Sequence, residues 1–88
     1  MGRLIEFYGT ECVHCKEIEP LIRKLAMEDD IEVERLEVWH DSKNAELFKK
    51  AERGRCGGVP FFWNEATDQF ICGNTTYEKL KDWAKGSK

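Results

Sequence analysis

Two cysteines two residues apart, Cys12-Val13-His14-Cys15, stand between a short apolar run and a stretch with helical periodicity. That arrangement constrains the chain more than any other feature. Leu4-Ile5-Glu6-Phe7-Tyr8 reads as a strand, apolar except for Glu6. Gly9-Thr10-Glu11 turns it. From about Cys12 to Met27 the residues Ile18, Leu21, Ile22, Leu25 and Ala26 recur at helical spacing. Pro20 inside that pattern predicts a kink, because it has no N–H to donate to the carbonyl of Lys16. The thiol pair is therefore expected at a strand-to-helix turn, on the exposed first turn of the helix.

The remaining pattern continues the alternation. Ile31 to Trp39 reads as a second strand, with charges between its apolar residues. Asp41 or Ser42 caps a helix through about Arg53, with Leu47, Phe48 and Ala51 inward and Gly54 as its stop. Residues 55–58 form a loop. Val59 to Trp63 is a third strand, and a polar turn over 64–68 returns the chain into Gln69 to Cys72. Thr75 and Glu78 have capping-box spacing for a last helix, closed by Gly86. The order β-α-β-α-β-β-α is an α/β pattern. Its two β-α-β halves are expected to place parallel strands through right-handed crossovers, with the final hairpin adding an antiparallel edge strand. A length of 88 residues suits one domain, 1–88, and is short for two.

Charge narrows the function classes. The net charge is −3, and basic residues are interleaved with acids, as in Lys49-Lys50-Ala51-Glu52-Arg53. Phosphate binding needs clustered Lys and Arg, so nucleic acid is not expected as a partner. No apolar run approaches the length that spans a bilayer, so no membrane association is expected. Met1-Gly2-Arg3 leads directly into the first strand without an export signal, so the expected compartment is the cytoplasm. A close cysteine pair there points to catalysis or metal rather than to a structural staple.

A helix N-terminus carries unpaired N–H groups and partial positive charge, and both favour thiolate over thiol. Cys12 is the expected nucleophile and Cys15, one turn further in, the resolving thiol. His14, when protonated, adds to thiolate stabilisation, as does Lys16, while Glu11 and Glu17 oppose it. A stabilised thiolate stabilises the reduced form and makes the disulfide a better oxidant. A C-x-x-C is also half of many zinc sites, but Cys56 and Cys72 are single and far apart, so no metal is expected. Three readings stand for Cys56 and Cys72: buried small hydrophobes, the simplest; a second redox pair; or sites of oxidative regulation.

Ile5 to Lys16 resembles the active-site strand, turn and helix of the thioredoxin/glutaredoxin superfamily. Pro20 falls where thioredoxins kink that helix. Gly58-Val59-Pro60 looks like the cis-proline loop, and Gly73 like the glycine after the final strand. The order of these landmarks is similar to a small glutaredoxin-like or minimal thioredoxin-like redoxin. It implies a four-stranded mixed sheet flanked by three helices, with the proline loop facing the cysteines.

The implied activity is thiol–disulfide exchange with disulfide-containing proteins or small thiols through a mixed disulfide, with no cofactor. An unidentified reductase or thiol donor recharges the chain, which is expected to act as a monomer. Val59, Pro60 and Gly73 are the implied substrate-binding residues. Glu6 falls where thioredoxins bury an acid behind the active site, and Arg35 where they place a partner lysine. An acid there moves protons to and from the resolving thiol; the simpler alternative is a surface ion pair. The departures are Glu11 in place of the usual Trp and Val13-His14 in place of Gly-Pro. The residues with which glutaredoxins hold glutathione are replaced by Gly58, Cys72-Gly73 and Asn74-Thr75. A zinc-binding module and a redox-inactive interaction domain of the same fold are the alternatives.

Overall fold

The computed structural model describes residues 3–86. Its elements are β1 (Leu4–Tyr8), α1 (Val13–Asp29), β2 (Glu34–Glu37), α2 (Ser42–Glu52), β3 (Phe61–Asn64), β4 (Phe70–Cys72) and α3 (Tyr77–Lys85). They follow the expected order and form one four-stranded mixed sheet, β2-β1-β3-β4.

Only the first crossover yields a parallel pair. β1 and β2 run parallel with Glu6 opposite Arg35. β3 runs antiparallel to β1, with Phe7 opposite Phe61 and Leu4 opposite Asn64. The expectation of a second parallel β-α-β unit is thereby corrected. Residues 53–60 return the chain to the Cys12 end of the sheet before β3 begins, so β3 enters from that end and β1 separates it from β2.

Alternation along β1 divides the core into two layers. On one face Phe62 packs with Ile18, Ile22 and Leu25 of α1 and with Leu80 and Trp83 of α3. On the other, Ile5, Phe7 and Phe61 pack with Ala51 of α2 and with Val38. Phe7 and Phe61 are completely buried and their rings lie 6.2 Å apart. Each such side chain contributes roughly 1.5–3 kcal/mol of burial.

The helix ends show what the sequence pattern resolves. Asp41 caps α2, accepting from the N–H groups of Lys43 and Asn44. Thr76, not Thr75, caps α3 by accepting from Lys79 N–H. Thr75 Oγ1 is instead buried without a partner among the described residues. Gly86 closes α3 in the left-handed conformation. Pro20 lies on the exposed side of α1, which continues past it to Asp29. Among the described residues no helix is long and apolar enough to cross a membrane.

Candidate active site

The site forms where the parallel strands β1 and β2 end, the edge at which loops of α/β sheets converge. Gly9 follows β1, and its carbonyl accepts the Cys12 N–H at 3.1 Å. Only glycine fits there, because a Cβ would lie 2.2 Å from the Trp39 ring. Trp39, just beyond β2, thus lays its half-exposed indole over the turn that presents Cys12. Glu37 ties the same turn down. It accepts from Thr10 N–H at 3.0 Å, from the Thr10 hydroxyl at 3.1 Å and from His40 N–H at 2.7 Å. Burial pushes the Glu37 carboxyl up, but these donors outweigh it and hold it below the usual range.

Cys12 is the N-cap of α1, with extended backbone, and its Sγ accepts the Cys15 N–H at 3.1 Å. A sulfur here takes the capping place usually held by a side-chain oxygen, next to the positive end of the helix. Cys12 and Cys15 are joined by a disulfide, with Cα atoms 5.2 Å apart. Cys15 is the deeper of the two, at 1% exposure against 6% for Cys12. The expected exposure of Cys12 is corrected: in the oxidised protein it is buried, with the Val59 carbonyl oxygen 3.9 Å from its Sγ. The Val59–Pro60 peptide is cis, and Gly73 N–H donates to the Pro60 carbonyl at 2.8 Å. The Val59 carbonyl thus lies beside Cys12, with Pro60 next in the chain and Gly73 bonded to Pro60.

Glu6 is completely buried on the α1 face. Arg35 Nε donates to its Oε1 at 2.6 Å, and the same guanidinium reaches Glu19 of α1 at 3.4 Å. Glu6 Oε2 has no partner among the described residues. Burial pushes the carboxyl up to about 7 against the downward pull of Arg35. The surface-pair alternative is therefore excluded, and a buried acid that titrates near neutral pH stands behind α1.

His14 is brought to the site but turned outward. Its Nδ1 meets Glu17 Oε1 at 2.9 Å, and the same Glu17 oxygen accepts from Asn74 Nδ2 at 3.2 Å. Glu11 is paired too, with His40 Nε2 at 2.9 Å, and this contact raises the His40 pKa. Trp39 and His40 belong to no motif in the sequence. Their place beside Cys12 had no signal in spacing; the one clue was their position after a strand parallel to β1.

Cys56 and Cys72 are bonded to each other, with Cα atoms 5.5 Å apart, and neither is buried. The reading as buried small hydrophobes is corrected. They meet because β3 and β4 pair with Phe61 opposite Cys72, which brings the loop before β3 over the end of β4. Among the described residues no group of three or more His, Cys, Asp or Glu could hold a metal ion, so the arrangement lends no support to a zinc module.

No curated protein matches the chain in sequence. Among solved structures, the C-terminal domain of DsbD from Neisseria meningitidis, in its oxidised form, superposes with a TM-score of 0.62. It covers 99% of this chain and 80% of that one at 15% identity, a likeness of fold. It also corrects the expected compartment. That domain is a periplasmic redox domain, so the cytoplasmic placement is withdrawn. The placement rested on residues 1–8, and nothing in the fold depends on it. The thioredoxin family model matches residues 2–86. With that match spanning nearly all of its length and a bonded Cys12–Cys15 pair at the start of α1, the chain belongs to the thioredoxin family and carries the redox disulfide of a thiol–disulfide oxidoreductase.

Proposed function

We propose that the chain exchanges disulfides with proteins or small thiols, with Cys12 as nucleophile and Cys15 as resolving thiol. The observation that carries this reading is the Cys15 N–H donated to Cys12 Sγ at the N-cap of α1. The same N–H and the helix terminus stabilise negative charge on that sulfur once the pair is reduced. The Cys12 thiolate attacks a substrate disulfide, forms a mixed disulfide and releases one substrate thiolate. Cys15, deprotonated, attacks Cys12 Sγ and releases the second. Two electrons have then passed to the substrate, and the Cys12–Cys15 disulfide remains. A thiol donor or reductase returns it to the dithiol.

Glu6, with a carboxyl near neutrality and one free oxygen, is the group we assign to proton transfer at Cys15. Arg35 positions it and keeps its pKa from rising further. The Val59 backbone, beside Cys12 Sγ, pairs with an extended substrate as an added strand, and Pro60 and Gly73 hold that segment in place. His14, engaged with Glu17, modulates the site only weakly. The chain acts as a monomer and needs no cofactor.

The test is trapping. Cys15→Ser should accumulate mixed disulfides through Cys12, and Cys12→Ser should abolish insulin reduction with dithiothreitol. Mixed disulfides that form on Cys15 in the Cys12→Ser protein, at the parent's rate, would reverse the roles.

A further inference from the structure

The second disulfide stands in a different setting from the first. Cys12 and Cys15 are sealed, whereas Cys56 is partly buried and Cys72 is exposed at the end of β4. The bridge spans 16 positions and encloses the segment that faces the active site. From Cys56 the chain passes through Gly57 and Gly58 to Val59, whose carbonyl lies beside Cys12 Sγ. It then enters β3 at Phe61, directly opposite Cys72. Gly57 has positive φ, and a Cβ on either glycine would meet nothing within 4 Å. These two residues therefore add no side-chain anchor of their own between the bridge and Val59.

On the helix side the loop hangs from Glu52. Its carboxylate accepts the N–H groups of Gly54 at 2.8 Å, Cys56 at 2.5 Å and Gly57 at 2.6 Å. Arg55 donates to Ala51 O at 2.7 Å and lies over the Phe70 ring at 4.3 Å. These contacts hold the start of the loop, while the covalent link to the end of β4 is Cys56–Cys72 alone.

We propose that Cys56–Cys72 is a second redox site, opened by solvent thiols separately from Cys12–Cys15, and that its closure holds Val59–Pro60 in register for protein substrates. The gating half rests on the function assigned above. Opening is ordinary exchange. A thiolate RS⁻ attacks Sγ of Cys72, the exposed residue of the pair, the S–S bond breaks, and Cys56 leaves as a thiolate that takes up a proton. A second RS⁻ attacks the Cys72–SR bond and releases the Cys72 thiolate and RSSR. Two small thiols lose two electrons and the bridge gains them.

The two couples differ in what their thiolates meet. Cys12 gains an N–H donor and a helix N-terminus. The Cys56 N–H is already committed to the Glu52 carboxylate, whose charge opposes a thiolate nearby. The first couple is therefore reduced first, and the second opens only in a more reducing buffer. With the bridge open, Val59 is less well placed to pair with an extended substrate. A small disulfide, which needs only Cys12 and no strand pairing, is unaffected.

The experiment uses the full chain in thiol buffers of graded strength, with maleimide labelling and peptide mass analysis of the folded protein. Single-turnover rates with insulin and with a small aromatic disulfide are measured at each step. Cys12 and Cys15 should label in milder buffers than Cys56 and Cys72. As the second pair labels, the insulin rate should fall up to about tenfold, the scale of one lost backbone hydrogen bond to the substrate, while the small-disulfide rate stays constant. The Cys56→Ser/Cys72→Ser protein, with its fold checked by circular dichroism, should behave like the fully reduced chain. Labelling of Cys56 and Cys72 only in denaturant overturns the proposal, and so does an insulin rate indifferent to their state. Absence of turnover with either substrate in every state defeats the oxidoreductase reading and the gating with it, while the order of labelling still decides whether the second site exists.

Discussion

Replacing Glu6 by Gln removes a completely buried carboxyl, and the consequence is read in the pH dependence of stability. Burial raises the group from 4.5 to about 7; the hydrogen bond and charge of Arg35 pull it down, and Glu19 adds a smaller upward push. In the unfolded chain the same group titrates near its ordinary value. Between the two values the folded state binds more protons than the unfolded state, so stability falls as pH rises. The loss is absent below 4.5 and complete above about 7. A rise from 4.5 to about 7, at about 1.4 kcal/mol per pH unit, corresponds to on the order of 3 kcal/mol. Glu6→Gln does not titrate in this window. Relative to the parent, its stability should therefore improve by that order between about pH 4 and about pH 8. Urea unfolding followed by tryptophan fluorescence, with both disulfides intact, measures it. Differencing the two proteins cancels the groups they share. Arg35→Ala should push the parent's decline to higher pH, since Arg35 is what holds the acid down. Parallel profiles for parent and Glu6→Gln would refute both the buried titration and the proton-transfer role built on it.

Two further outcomes follow from contacts around Cys12. Gly9→Ala places a methyl where the Trp39 ring lies. The indole should be displaced, at a cost of about 1–3 kcal/mol, with a red-shifted emission; an unchanged spectrum and melting midpoint would show that the turn accommodates a side chain. His40→Ala leaves Glu11 unpaired next to Cys12 and should slow Cys12 alkylation about threefold, as expected for an exposed charge. The raised His40 pKa sets the sign: the effect is present while His40 is protonated and fades as pH rises through that value. His14→Ala should slow alkylation less, because the Glu17 carboxylate it leaves keeps the Asn74 side-chain donor; a larger effect from His14 than from His40 would show that the sequence neighbour governs the thiolate.

The features legible in the order of the amino acids are local ones. Apolar periodicity set the order of strands and helices, and a C-x-x-C pair between a strand and a helix placed a sulfur at a helix N-terminus, because capping and the helix dipole act within one turn. The resemblance to thioredoxins implied a buried acid at Glu6, with a surface ion pair as the alternative, and the fold buries that acid with Arg35 opposite it in register. The direction of β3 was not legible, since a β-α-β pattern reads alike whether the following loop returns the chain or not. Nor was the cap of α3 decided between two adjacent threonines with nearly equivalent spacing. The rest belongs to the tertiary structure. Trp39 over Gly9, His40 on Glu11 and the Cys56–Cys72 bond each join residues from distant parts of the chain. They meet only after the strands have chosen neighbours, because register and crossover direction, rather than composition, bring such atoms within bonding distance.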